Sequence, residues 1–266
     1  EIGSGLVGSE MCIRDRKGVE DHSWVIGDFI WTAFDYIGEA SIGWCGYPLD
    51  KRIFPWNHAN CGDLNLSGER RPQSYLRETL WSDAPVSHIV VTPPVPSFPL
   101  NPDKADWSVW DFPDVVDHWN FPGYEGKKMT VSVYSNCEQV ELFLNGESLG
   151  KQENTADKKN TLVWEVPYAH GILKAVSYNK GGEVGTATLE SAGKVEKIRL
   201  SADRTEIVAD GNDLSYITLE LVDSKGIRNQ LAEELVAFSI EGDATIEGVG
   251  TVSYTHLRAH ETGAYL

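Results

Sequence analysis

Three hydrophobic patterns follow one another along the chain. In WVIGDFIWTAFDYIGEA (residues 24–40) the apolar positions of 25–30 run almost continuously, broken only by Gly27-Asp28. A short run of β-branched and aromatic residues without alternation predicts a strand buried on both faces, as in a parallel sheet. After a loop rich in Gly, Pro and Asn comes ERRPQSYLRETLW (residues 69–81), where Tyr75, Leu76, Thr79 and Leu80 form one apolar stripe. That spacing predicts a helix, with Pro72 suited to its first turn. Strand, loop and helix make one β/α unit, and one unit is not a domain.

The pattern then shortens to period two. VTPPVPSFPLNP (residues 91–102) has five prolines, so it predicts an extended, semi-rigid connector. Val131 and Val133 in MTVSVYSN alternate with polar partners, as do Val140, Leu142 and Leu144 in VELFLNGESLGKQ, which turns at Asn145-Gly146. Asn-Gly between alternating runs predicts a two-residue hairpin loop. TLVWEVPY, ILKAVSYN and VGTATLES add short strands, and together they predict an antiparallel sandwich of immunoglobulin-like type. From Lys194 the same manner returns in KIRLSA, TEIVAD, SYITLELVD, LVAFSIEG and ATIEGVG, separated by turn residues such as Asp210-Gly211-Asn212-Asp213.

The expected fold class is therefore mainly β. A terminal β/α unit of a (β/α)8 barrel occupies residues 17–84, a proline-rich linker 85–102, one immunoglobulin-like sandwich 103–193, and a second, incomplete sandwich 194–251. The two ends fit none of these patterns. LVGSEMCIRD (residues 6–15) can be written as CTC GTG GGC TCG GAG ATG TGT ATA AGA GAC, whose reverse complement translates as VSYTHLRAHE, residues 252–261. Protein segments have no physical reason to be complementary strands of one oligonucleotide, so residues 1–16 and 252–266 are expected to be translated sequencing adapter and are set apart from fold reasoning. The expectation is that the rest is an internal piece of a longer protein.

Composition narrows the partners. A formal net charge of −17 argues against nucleic acid, which needs a basic stripe. No apolar run is long enough to span a bilayer. With Cys12 in the adapter, Cys45, Cys61 and Cys137 remain without metal-ligand spacing. They read as ordinary thiols, with a Cys45–Cys61 disulfide as the lesser alternative. Eight of the nine tryptophans lie between Trp24 and Trp119. Such rings fill cores, and they also serve as flat platforms for sugar rings.

At FIWTAFDYIGEA the chain resembles the closing barrel strand of glycoside hydrolase family 2, the β-galactosidase and β-glucuronidase family. CGDLNLSGERRPQSYLRETLW is similar to the loop and final helix of that barrel. DFPDVVDHWNFPGYEGKKMTVSVYSNCEQVELFLNGESLG is similar to the accessory β-domain after it, and DGNDLSYITLELVDSKG to the following immunoglobulin-like domain. The resemblance implies a retaining exo-β-glycosidase, most simply a β-galactosidase, acting on an oligosaccharide or glycoside. It implies no organic cofactor, and no metal site falls in this segment.

Retention needs two carboxyl groups about 5–5.5 Å apart. In the family both lie on earlier barrel strands, so no catalytic residue is expected here. Asp35 and Glu39 form a tempting pair, but consecutive loop carboxylates are more often solvated or bonded to nearby amides. Trp31 is expected to form part of the sugar floor, with Asp35 orienting it or binding a sugar hydroxyl, and Tyr36 and Glu39 supporting the loop. His58 and His118 are weaker candidates for ligand contact. Trp107, Trp110 and Trp119 are expected to pack the sandwich onto the barrel rather than to bind carbohydrate. A non-catalytic carbohydrate-binding or adhesion module is the alternative, and the strand across residues 26–34 discriminates, since an adhesin has no use for an orphan barrel strand.

Overall fold

The structure, a computed structural model, describes residues 22–27, 31–38, 58–59, 61–96 and 113–250. Within these the chain is mainly β. Its centre is a two-sheet antiparallel sandwich. Strands β3 (Ser87–Val91), β4 (Lys128–Ser135) and β7 (Thr161–Pro167) form one sheet in the order β3-β4-β7. Strands β5 (Gln139–Leu144), β6 (Glu147–Glu153), β8 (Ile172–Asn179) and β9 (Gly182–Glu190) form the other in the order β6-β5-β8-β9.

The alternation read from the sequence decides which side chains face inward. Val131 and Val133 of β4, Leu162, Trp164 and Val166 of β7, and Val140 and Leu142 of β5 enter one core with Leu173 and Ala175 of β8. Thr130, Val163 and Glu165 on the same strands stay outside. Leu144 pairs with Glu147 across the β5–β6 turn, and Asn145 and Gly146 hold φ of 52° and 86°. Two positive φ values in a two-residue loop are what Asn-Gly supplies.

Trp119 belongs to this core. It is fully buried, edge-on to Tyr168 at 5.0 Å, and its indole donates to the Ala169 carbonyl at 2.9 Å. The expectation that it packs the sandwich onto the barrel is thereby corrected; Trp107 and Trp110 lie outside the described residues.

The linker boundary also moves. Residues 87–91 pair with β4 along their whole length, from Ser87 with Ser135 to Val91 with Val131. Ile89 and Val91 enter the sandwich core, while Val90 faces the opposite way and is equally buried. A helix explains the second burial. A 3-10 turn (Pro72–Ser74) leads into α1 (Tyr75–Trp81), and Leu76 of α1 packs on Val90 and Tyr134. The helix thus rests on the outer face of the β3-β4-β7 sheet.

The first region departs from a buried strand. Residues 22–27 form a turn and irregular chain, and 28–30 lie outside the described residues. Beyond them, Thr32 donates to Cys61 O at 3.1 Å, Leu64 to Ala33 O at 2.9 Å and Asp35 to Leu64 O at 2.9 Å, a short parallel pairing on one side. β1 (Tyr36–Ile37) then pairs antiparallel with β2 (His58–Ala59). An apolar run becomes a strand only where backbone partners extend it, and among the described residues partners from one segment reach residues 32–37.

The third region is reduced in the same way. β10 (Lys197–Ala202) and β11 (Ile217–Val222) make a hairpin, whereas TEIVAD, LVAFSIEG and ATIEGVG are not strands. Ile198, Leu200 and Ile217 share one hairpin face and remain 56%, 63% and 63% exposed. A two-stranded hairpin without a covering sheet has little to organise further strands. The hairpin and the chain after it are nonetheless tied to the rest of the molecule. The Gly193 amide donates to Asp223 Oδ2 at 2.8 Å, Arg228 pairs with Glu69 at 2.6 Å, and Gln230 reaches Asp117 Oδ1 at 3.4 Å.

Candidate substrate platform at Trp31

The site is built on the loop that precedes α1. Asn65 Oδ1 accepts from the amides of Ser67 and Glu69, both at 2.9 Å, and closes a compact turn. Asn65 N returns to Glu69 O at 2.9 Å and Arg71 N to Asp63 O at 2.8 Å, which carries the chain into the first helical turn. The other side of the same segment, residues 61–64, holds residues 32–35 through the parallel pairing. Gly62 is the point of closest approach. A Cβ there would lie 2.2 Å from Asp35 N and 2.5 Å from Leu64 O.

Two arginines at the helix start clamp two carboxylates on these paired segments. Arg77 Nη1 meets Asp63 Oδ2 at 2.8 Å. Arg71 Nη2 pairs with Asp35 Oδ2, whose side chain is 0% exposed while that of Arg71 is 11% exposed. Asp35 Oδ1 accepts from the Gly62 amide at 2.9 Å. Burial pushes the Asp35 carboxyl up to about 6, against the opposing pull of Arg71. Burial and the neighbouring Asp35 charge push the Cys61 thiol up to about 11. Cys61 and Cys137 are free, buried thiols; Cys45, the other half of the alternative disulfide, lies outside the described residues.

Trp31 stands at the open end of this arrangement. It is 55% exposed, with Phe34 at 54% and Ile37 at 79% beside it in the chain. Its indole Nε1 donates to the Tyr36 hydroxyl at 3.2 Å, and the two rings meet edge to face at 6.2 Å. The indole is thus tied to Tyr36 through its polar edge while the residue stays half exposed.

Of the expected site residues, the structure brings Trp31 and Tyr36 into contact, and Glu39 lies outside the described residues. Asp35 has a wholly buried side chain, with Oδ2 paired to Arg71 and Oδ1 accepting from the Gly62 amide. His118 is mostly buried beside Phe121, its ring accepting from the Asn120 amide at 3.3 Å, and burial pushes it down to about 4. It faces the sandwich rather than the platform. Arg71 and Gly62 were not singled out in the sequence, because their partners lie 36 and 27 residues away and no local pattern marks them. Among the described residues no group of three or more His, Cys, Asp or Glu is arranged to hold a metal, and no helix is long and apolar enough to cross a membrane.

Residues 198–264 match the family described as glycoside hydrolase family 2 C-terminal domain 5, and residues 126–185 a domain of unknown function, DUF4982. The first match begins at β10 and the second lies within the seven-stranded sandwich. A crystal structure of a glycosyl hydrolase family 2 member from Bacteroides cellulosilyticus is 95% identical, with a TM-score of 0.88 over 92% of this chain and 31% of that one. A β-galactosidase of Bacteroides ovatus is 32% identical over 88% of this chain and 23% of its own length. A β-glucuronidase of Formosa agariphila is 32% identical over 54% of this chain and 15% of its own length. The chain belongs to glycoside hydrolase family 2. It spans 23% of the Bacteroides ovatus relative and 31% of the Bacteroides cellulosilyticus protein.

Proposed function

We propose that the chain is the C-terminal part of a retaining exo-β-glycosidase of β-galactosidase type, in which residues 17–84 close the barrel and Trp31 floors the sugar site. On this reading residues 31–38, the loop and α1 are the last β/α unit. The seven-stranded sandwich and the β10–β11 hairpin belong to two immunoglobulin-like accessory domains. The observation that carries the proposal is the exposed Trp31 indole, bonded to Tyr36, which follows the buried Asp35 of the Arg71 ion pair in the chain. A pyranose presents an apolar C–H face, and a rigid indole offers matching area at low entropic cost.

The segment supplies binding surface and leaves the chemistry to residues elsewhere in the longer enzyme. Asp35, four residues after Trp31 in the chain, is engaged by Arg71 and Gly62 with its side chain wholly buried. The test is Trp31→Ala in a full-length family 2 enzyme carrying this segment. The expected loss in kcat/KM is about tenfold or more, the size of one lost stacking contact with its buried area. Unchanged kinetics would return Trp31 to barrel filler.

A further inference from the structure

Arg71 stands between two bodies. Behind it, α1 is fastened to the sandwich. Asn160 Nδ2 donates to Thr79 Oγ1 at 3.1 Å, and Asn136 Nδ2 donates to the carbonyls of Ser82 at 3.0 Å and Ala84 at 2.8 Å. Tyr75 stacks on His88 of β3 at 4.3 Å and donates its hydroxyl to Asp117 Oδ2 at 3.1 Å. Arg71 itself is held on both sides, by its amide to Asp63 O at 2.8 Å and by Ser74 Oγ donating to its carbonyl at 2.7 Å. In front of it, the guanidinium meets Asp35, next in the chain to Tyr36, whose hydroxyl receives the Trp31 indole.

We propose that Arg71 is a positioning residue for Trp31: acting through Asp35, it carries the fixed orientation of the sandwich-bound helix to the indole. The functional meaning of this rests on the platform reading, but the geometry does not. A guanidinium and a carboxylate buried together cannot exchange one another for water without a large desolvation cost, so the clamp holds one geometry. A planar fork also fixes direction as well as distance, which a lysine ammonium does not. The accessory sandwich thereby acts as the footing of the platform.

The experiment uses the 266-residue chain labelled with 15N, reading the indole N–H cross-peaks. Trp31→Phe assigns the Trp31 signal, and Trp119 and Trp164, both in the sandwich core, report on folding. Two variants are compared with wild type: Arg71→Lys, and the double variant Asp35→Asn with Arg71→Gln, which leaves neither charge buried alone. In both, the Trp31 cross-peak is expected to move by more than its linewidth while those of Trp119 and Trp164 stay in place. A stationary Trp31 signal in either folded variant overturns the proposal. Loss of the Trp119 and Trp164 signals in both also overturns it, since Arg71 would then serve the whole fold. The readout involves no sugar, so wild-type kinetics in Trp31→Ala would remove the platform reading and leave this result standing.

Discussion

At the scale of single residues, the tightest constraint is a missing atom. Gly62 lies against the backbone of Phe34 and Asp35, where an added Cβ would fall 2.4 Å and 2.2 Å from main-chain atoms. No rotamer relieves a clash with backbone, so Gly62→Ala must part the paired segments. Overpacking of this kind costs about 1–3 kcal/mol. Amide exchange at Asp35 and Leu64 is therefore expected to quicken by roughly tenfold or more, with the sandwich amides unchanged. Equal exchange in both proteins would show that the pairing is looser than the bonds imply. Nothing in Cys61-Gly62-Asp63 signals this from sequence alone, because the neighbour that forbids a side chain arrives from a distant part of the chain. Trp31 was legible for the opposite reason: an indole beside FDYIGE is informative through its local context.

At the scale of elements, legibility followed the reach of the forces involved. The β5–β6 turn was readable because Asn145-Gly146 determines its own backbone, and α1 because its apolar stripe is local. β3 was hidden behind the prolines that follow it, and its double burial depends on a helix and a sheet meeting across it. TEIVAD and LVAFSIEG have strand composition, but neither pairs with the β10–β11 hairpin. The segment leading into the sandwich also carries a pH response. Burial pushes His118 down to about 4, from an ordinary value near 6.5, with Asp117 pulling upward and Arg228 downward. The fold thus prefers the neutral ring, and its contribution is complete above about 6.5 and lost as pH falls toward 4. His88 is also lowered by burial, which acts in the same sense. Asp35 acts oppositely: with its carboxyl raised to about 6, its contribution is complete below the ordinary 3.8 and declines as pH rises through 6. The sandwich melting temperature, followed by core tryptophan fluorescence, is expected to fall between pH 6.5 and 4, and His118→Gln is expected to flatten that slope. An unchanged slope would remove His118 as its source.

At the scale of the whole molecule, one well-packed sandwich carries two less complete neighbours. On its outer sheet face it holds the helix of the β/α unit. At its other junction, Ser191 bonds the Trp119 carbonyl and Gly193 bonds Asp223, which hold the β10–β11 hairpin. Arg228 and Gln230 then reach back to Glu69 and Asp117, so all three regions are linked by charged or polar contacts as well as by the chain. Family membership was readable from four stretches in order, because their similarity survives without neighbours. The extent of the strands was not, because strand length depends on pairing. On the proposed function, labour is divided: this segment would hold and orient sugar, with the carboxylate pair in other parts of a longer enzyme. The check is to incubate the purified 266-residue chain with a nitrophenyl β-galactoside. Nitrophenol release no faster than in buffer is expected; sustained turnover that co-purifies with the chain would overturn the division.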